Sequence, residues 1–129
     1  MKYRLMDIIA CPYDKHFPLK LTIFTINKYE KRDVKLRRKP ACEIICQYKG
    51  KKVDELEEIP QCEECFKYEI EYGVLYCEKC MRWYPIIDEI PILLPDEYRK
   101  KEEDIKFLKR FKDKIPEDIL KKGRPWSLE

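Results

Sequence analysis

The sequence predicts an α+β fold: a small antiparallel sheet with a short N-terminal helix, an inserted hairpin and a C-terminal helical tail. Three observations predict it. "PLKLTIFTIN" alternates apolar and polar positions, placing Leu19, Leu21, Ile23 and Thr25 on one side, as a half-buried strand does. "FKYEIEYGVLYC" carries strand-forming residues on both sides of Gly73, which reads as two short strands joined by a turn. From Asp96 to about Lys114 the period becomes helical, with Phe107, Phe111 and Ile115 on one stripe.

The remaining elements follow in chain order. "YRLMDIIA" spaces Leu5, Ile8 and Ile9 as a short helix ending at Cys11-Pro12. After the first strand comes a basic stretch, residues 28–40, with seven Lys or Arg against two acids. "ACEIICQY" reads as a second strand, hairpinned with the first across that loop. "KKVDELEEIPQ" is acidic with room for one helical turn, and "RWYPII" and "IPILLP" are extended pieces. Asp96 is placed to cap the tail helix, and Glu97–Lys101 and Glu102–Lys106 are supporting pairs. Pro116 and Gly123 bracket one more short helix. "RPWSLE" reads as a loose tail whose Trp126 either docks or meets a partner. The expected organisation is a domain over 1–95 with an insert at about 28–66, then a helical extension over 96–129.

Composition narrows the class. The chain has 129 residues, 41% charged and 44% apolar, which supports a modest core and excludes a disordered chain. A core this small gains from a metal or disulfide staple. With 28 basic and 25 acidic residues the net charge is only +3, so no global field demands nucleic acid. No secretory signal is legible and no apolar run could span a bilayer, so a cytoplasmic protein is expected. In that compartment cysteines point to metal or redox chemistry first. The Lys and Glu richness resembles that of proteins from hot habitats, where intracellular disulfides also occur, so that option stays open.

The seven cysteines are the most specific signal. Cys62-x2-Cys65 and Cys77-x2-Cys80 flank the expected hairpin at Gly73, which would return one thiol pair to the other. Four thiolates in tetrahedral reach make a closed structural zinc site, with no open position for catalysis. Cys62, Cys65, Cys77 and Cys80 are therefore the first expected ligand set. An alternative joins Cys77 and Cys80 to Cys11 with Asp14 or His16, the single histidine of the chain. Cys42 and Cys46 then form a second site or disulfides with Cys62 and Cys65. They cannot bridge each other if "CEIIC" is a strand, because four extended residues span about 13 Å. Redox catalysis is disfavoured, since Glu63, Glu64 and Glu78 beside the thiols would raise their pKa values. Only three glycines and one histidine leave little material for a phosphate loop or acid–base catalysis. The chain is not expected to be an enzyme.

"IPILLP" raises a separate question. Its apolar residues do not alternate with polar ones, so a core strand there needs cover on both faces. Pro91 and Pro95 cannot donate to a ladder and argue for a sheet edge. A bare apolar edge invites aggregation, so either residues 105–120 of the tail or a partner should cover it.

"YRLMDIIACPYDKHFPLKL" and "YGVLYCEKCMRWYPIIDEIPILLP" together resemble the multifunctional methyltransferase subunit family, in its archaeal type. The resemblance covers about residues 1–27 and 67–95. It implies a zinc-ribbon-like fold and a non-catalytic subunit that activates and stabilises S-adenosylmethionine-dependent methyltransferases acting on tRNA, rRNA or release factor. The cofactor is then bound by the partner, and the two chains form a heterodimer. It further implies that Trp83, Tyr84, Ile90, Pro91, Ile92, Leu93, Leu94 and Pro95 meet the methyltransferase by strand addition. The family's second N-terminal cysteine is Asp14 here, and Glu89 stands where glycine is common. The basic loop at 28–40 could add phosphate contacts to an RNA substrate. The rival reading is a zinc-ribbon module that binds nucleic acid or a translation or transcription complex directly.

Overall fold

The computed structural model describes residues 1–128; Glu129, the last residue of the expected extension, lies outside them. A 3-10 turn at Tyr3–Asp7 precedes β1 (Lys20–Lys28), β2 (Ile45–Cys46) and β3 (Lys51–Lys52). Helix α1 (Cys62–Cys65) leads into β4 (Tyr68–Tyr76), β5 (Trp83–Ile87) and β6 (Ile90–Pro91), and the tail forms α2 (Lys101–Arg110) and α3 (Glu117–Lys122). The main sheet has the order β1-β4-β5-β6, all antiparallel, so the fold is α+β as the sequence predicts.

The expected turn at Gly73 does not form. Strand β4 runs straight through it, and Gly73 pairs with Ile23 on one side and Ile86 on the other. A Cβ there would stand 2.6 Å from the Thr22 carbonyl oxygen, so glycine serves a close backbone approach rather than a bend. The true tight turn is Asp88-Glu89, both at positive φ, joining β5 to β6. Glu89 tolerates that backbone because it is held on several sides. Its N–H donates to Glu71 O at 3.0 Å, and its carboxylate accepts from Asn27 Nδ2 and the Tyr29 hydroxyl.

The second strand is also shorter than expected. Only Ile45–Cys46 pairs, with Lys51–Lys52 in a separate two-stranded sheet, while β4 takes the place beside β1. Asp7 explains the difference. Its carboxylate, buried beneath the loop, accepts backbone N–H bonds from Glu43, Ile44 and Ile45 at 2.7–2.8 Å. Those donors curl around one anion instead of entering a ladder.

Each sheet face has its own cover. On one, Met1, Met6, Leu19, Ile70, Leu75, Tyr84 and Ile86 pack with Cys11 and Cys77 beneath the N-terminal segment. On the other, Phe24, Val74 and Trp83 meet Phe107, Leu108, Phe111, Ile115 and Ile119. The tail stripe therefore buries as predicted, and Phe24 stacks on Phe111 with ring centroids 4.8 Å apart. Trp126 docks: its indole N–H donates to Asp104 at 2.7 Å, while its carbonyl accepts from Trp83 Nε1 at 2.9 Å.

Candidate metal centre

Two short turns with the same backbone design face each other at one end of the sheet. In "CPYDKH" the Lys15 N–H donates to Cys11 O and the Cys11 N–H to His16 O. In "CEKCMR" the Met81 N–H donates to Cys77 O and the Cys77 N–H to Arg82 O. Lys15 and Met81 both adopt positive φ, 63° and 65°. Asp14 thus occupies in the first turn the place of Cys80 in the second. The correspondence is readable in the sequence as C-x-x-D beside C-x-x-C, although the second C-x-x-C at Cys62 and Cys65 competes with it.

These turns bring together Cys11, Asp14, Cys77 and Cys80, whose ligand atoms all lie within 4.8 Å of one another. Cys11 Sγ and Cys80 Sγ are 3.6 Å apart, and Cys77 Sγ is 3.5 Å from either Asp14 oxygen. A tetrahedral zinc with ordinary ligand distances needs sulfur–sulfur edges of about 3.8 Å and sulfur–oxygen edges of about 3.6 Å. Three thiols and a carboxylate at these spacings fit such an ion, and the arrangement is compatible with a zinc ribbon. His16 contributes its backbone rather than a ligand: its N–H donates to Asp14 Oδ1 at 3.0 Å and aims the carboxylate.

The electrostatics suit a bound cation. The His16 amide holds the Asp14 carboxyl down at about 2, which keeps it ionised at neutral pH. Burial pushes the Cys77 thiol up to about 12, whereas at Cys11 burial is outweighed by hydrogen bonds from the Asp14 amide and the Tyr84 hydroxyl, and the thiol is lowered. A cation would hold both as thiolates. The Tyr84 hydroxyl lies 3.5 Å from Cys11 Sγ, within hydrogen-bond reach of the site, a role that the residue pattern did not signal.

The structure does not gather the first expected ligand set. Cys62 and Cys65 sit before β4 and Cys77 after it. Nine residues of extended chain place the pairs about 30 Å apart along the strand. The missing turn at Gly73 is the cause. Cys62 and Cys65 instead line a cavity with Cys42 and Cys46.

The residues expected to meet a partner divide in two. Trp83 and Tyr84 are 0% exposed and belong to the two cores, so their side chains are not on the surface. Ile90 is 61% exposed and Leu94 40%, on and just beyond edge strand β6. Leu93 packs inward, and Ile92 and Leu94 line a groove with Pro85, Ile87 and Phe107. The tail helices cover the Trp83 face and leave Ile90 bare. In the basic stretch, Lys28 pairs with Glu30 and Glu64, Arg32 with Glu69, Arg38 with Glu43 and Lys39 with Glu63, so much of its charge is answered within the chain.

A family model described as Trm112p-like protein matches residues 2–89. The chain belongs to the Trm112p-like family. No curated protein and no solved structure matches it significantly. The family is one of small methyltransferase activator subunits. The Trm112p-like match contains both turns of the candidate metal centre and ends at the β5–β6 turn, before "IPILLP" and the tail. Among the described residues no helix is long and apolar enough to cross a membrane.

Proposed function

We propose that this chain is a non-catalytic, cytoplasmic activating subunit that forms a heterodimer with S-adenosylmethionine-dependent methyltransferases acting on tRNA, rRNA or release factor. The observation that carries the reading is edge strand β6 with its exposed Ile90, followed by Leu94 at the rim of a groove whose far wall is tail helix α2. A methyltransferase segment added there would gain apolar burial from the two side chains and main-chain bonds to the edge carbonyls, since Pro91 has no N–H to offer. Cys11, Asp14, Cys77 and Cys80 hold a structural zinc that fixes the end of the sheet from which β5 starts, and β5 carries β6 at its far end. The catalytic cofactor belongs to the partner. Binding its folded state stabilises the enzyme by mass action, and any preference for the cofactor-competent conformation raises cofactor affinity by population shift. Direct binding of nucleic acid by residues 28–40 has less support, because Lys28, Arg32, Arg38 and Lys39 are engaged with acids.

The test is co-expression with candidate methyltransferases of the same organism and purification in high salt. A stoichiometric complex with methyl transfer is expected, weakened at least about tenfold by Ile90→Asp with Leu94→Asp. Both side chains are exposed, so the variant alone should keep its fold and its metal. A variant that binds and activates as well as the parent would move the interface elsewhere.

A further inference from the structure

The second cysteine quartet lies in a part of the molecule with no core of its own. Between β1 and β4, regular structure amounts to two-residue strands β2 and β3, a 3-10 turn at Val53–Glu55 and one helical turn, α1. None of its residues belongs to either core cluster, and Ile44 and Ile59 are exposed. Apart from Pro60, its buried side chains are thiols: Cys42, Cys46, Cys62 and Cys65 are all buried, and none is disulfide-bonded. A segment this long with so little apolar burial needs a staple to order it.

The four thiols converge from two stretches of chain. The Asp7 carboxylate folds residues 43–45 into a curl that presents Cys42 and Cys46 to one side. Arg4 pairs with Asp7 at 3.0 Å and holds that carboxylate in place. Opposite, the single turn of α1 presents Cys62 and Cys65, and the Ala41 N–H donates to Cys62 Sγ at 3.5 Å, as amides do to metal-bound thiolates. All four line one small cavity of about 10 Å³, walled also by Tyr3, Pro40, Pro60 and Phe66. That is room for one small sphere and nothing larger.

We infer that Cys42, Cys46, Cys62 and Cys65 form a second, all-thiolate tetrahedral metal site, for zinc, which staples the insert. Four thiolates without a carboxylate or open position make a closed structural site. Among the described residues only the first centre has its ligand atoms gathered within 4.8 Å of one another, so the second site would have to close around its ion on binding. The inference is independent of methyltransferase activation.

Metal counting decides it. The chain, purified without chelator, is analysed for zinc and by native mass spectrometry. Two ions per chain are expected, with one retained by Cys77→Ser/Cys80→Ser and one by Cys62→Ser/Cys65→Ser. Cobalt(II) in the Cys77→Ser/Cys80→Ser variant should give the intense thiolate charge-transfer bands of a four-sulfur tetrahedral site. This reading stands even if the Cys62→Ser/Cys65→Ser variant fails to fold. A metal-free Cys77→Ser/Cys80→Ser variant, or a parent mass four hydrogens short with disulfides mapped among these cysteines, would overturn the site. If the Cys62→Ser/Cys65→Ser variant binds nothing while the Cys77→Ser/Cys80→Ser variant keeps one ion, the first centre fails and the second stands.

Discussion

Asp14 shows how two turns of one backbone design can carry different chemistry. It sits in the turn position that Cys80 fills in the matching turn, with the same backbone bonds around it. A carboxylate is a harder ligand than a thiolate, so the centre should release zinc more readily than a four-sulfur one. Asp14→Cys is therefore expected to slow zinc transfer to a chelator, and Asp14→Ala to speed it by at least about tenfold, read as the rate of chelator colour. Equal rates for all three chains would remove Asp14 from the ligand set. The same residue marks the limit of sequence reading. Its neighbours Cys11 and His16 were legible as candidates, but the choice between carboxylate and imidazole depended on which side chain the turn aims inward.

At the scale of elements, β1, the tail stripe and α3 between Pro116 and Gly123 were legible because periodicity and Pro/Gly punctuation are local; the expected Asp96 cap fails, since α2 starts only at Lys101 and the Asp96 carboxylate is taken by Arg82. The pairing of thiols was not. It depended on whether Gly73 bends the chain, and glycine signals a turn and a close strand crossing alike. The structure gives a direct check: Gly73→Ala puts a methyl 2.6 Å from the Thr22 carbonyl oxygen, a backbone atom with little freedom to move. A loss of about 1–3 kcal/mol is expected, measured as a lower urea midpoint. A neutral substitution would mean that β1 can slide away from β4. The 41–48 stretch failed as a strand for a non-local reason. Its donors are claimed by Asp7, thirty-odd residues earlier, and no alternation rule sees such a partner.

Across the whole molecule, Glu69 ties three separated segments together. Its side chain, almost wholly buried, meets the Met1 ammonium at 3.3 Å, Lys2 at 2.7 Å and Arg32 at 2.6 Å. Burial alone would raise its carboxyl, but these cations outweigh burial and hold it below the usual glutamate range. The folded value being the lower one, the stabilisation is complete above about pH 4.3, the unfolded value, and fades as pH falls through the folded value. Urea midpoints measured from neutrality down to about pH 3 should therefore fall more steeply for the parent than for Glu69→Gln. Parallel profiles would show that the three cations gain nothing from this carboxylate.

The covering of the sheet on both faces by distant parts of the chain has a practical consequence for anyone seeking a minimal version. The family-matched region ends at Glu89, yet Trp83 and Val74 inside it depend on Phe107, Leu108 and Phe111 for shelter from water. Trimming the protein to its recognisable part would strip an aromatic wall from a finished sheet and turn a scaffold into an adhesive. The tail is better treated as the lid on which the scaffold's solubility rests than as an appendix to be removed.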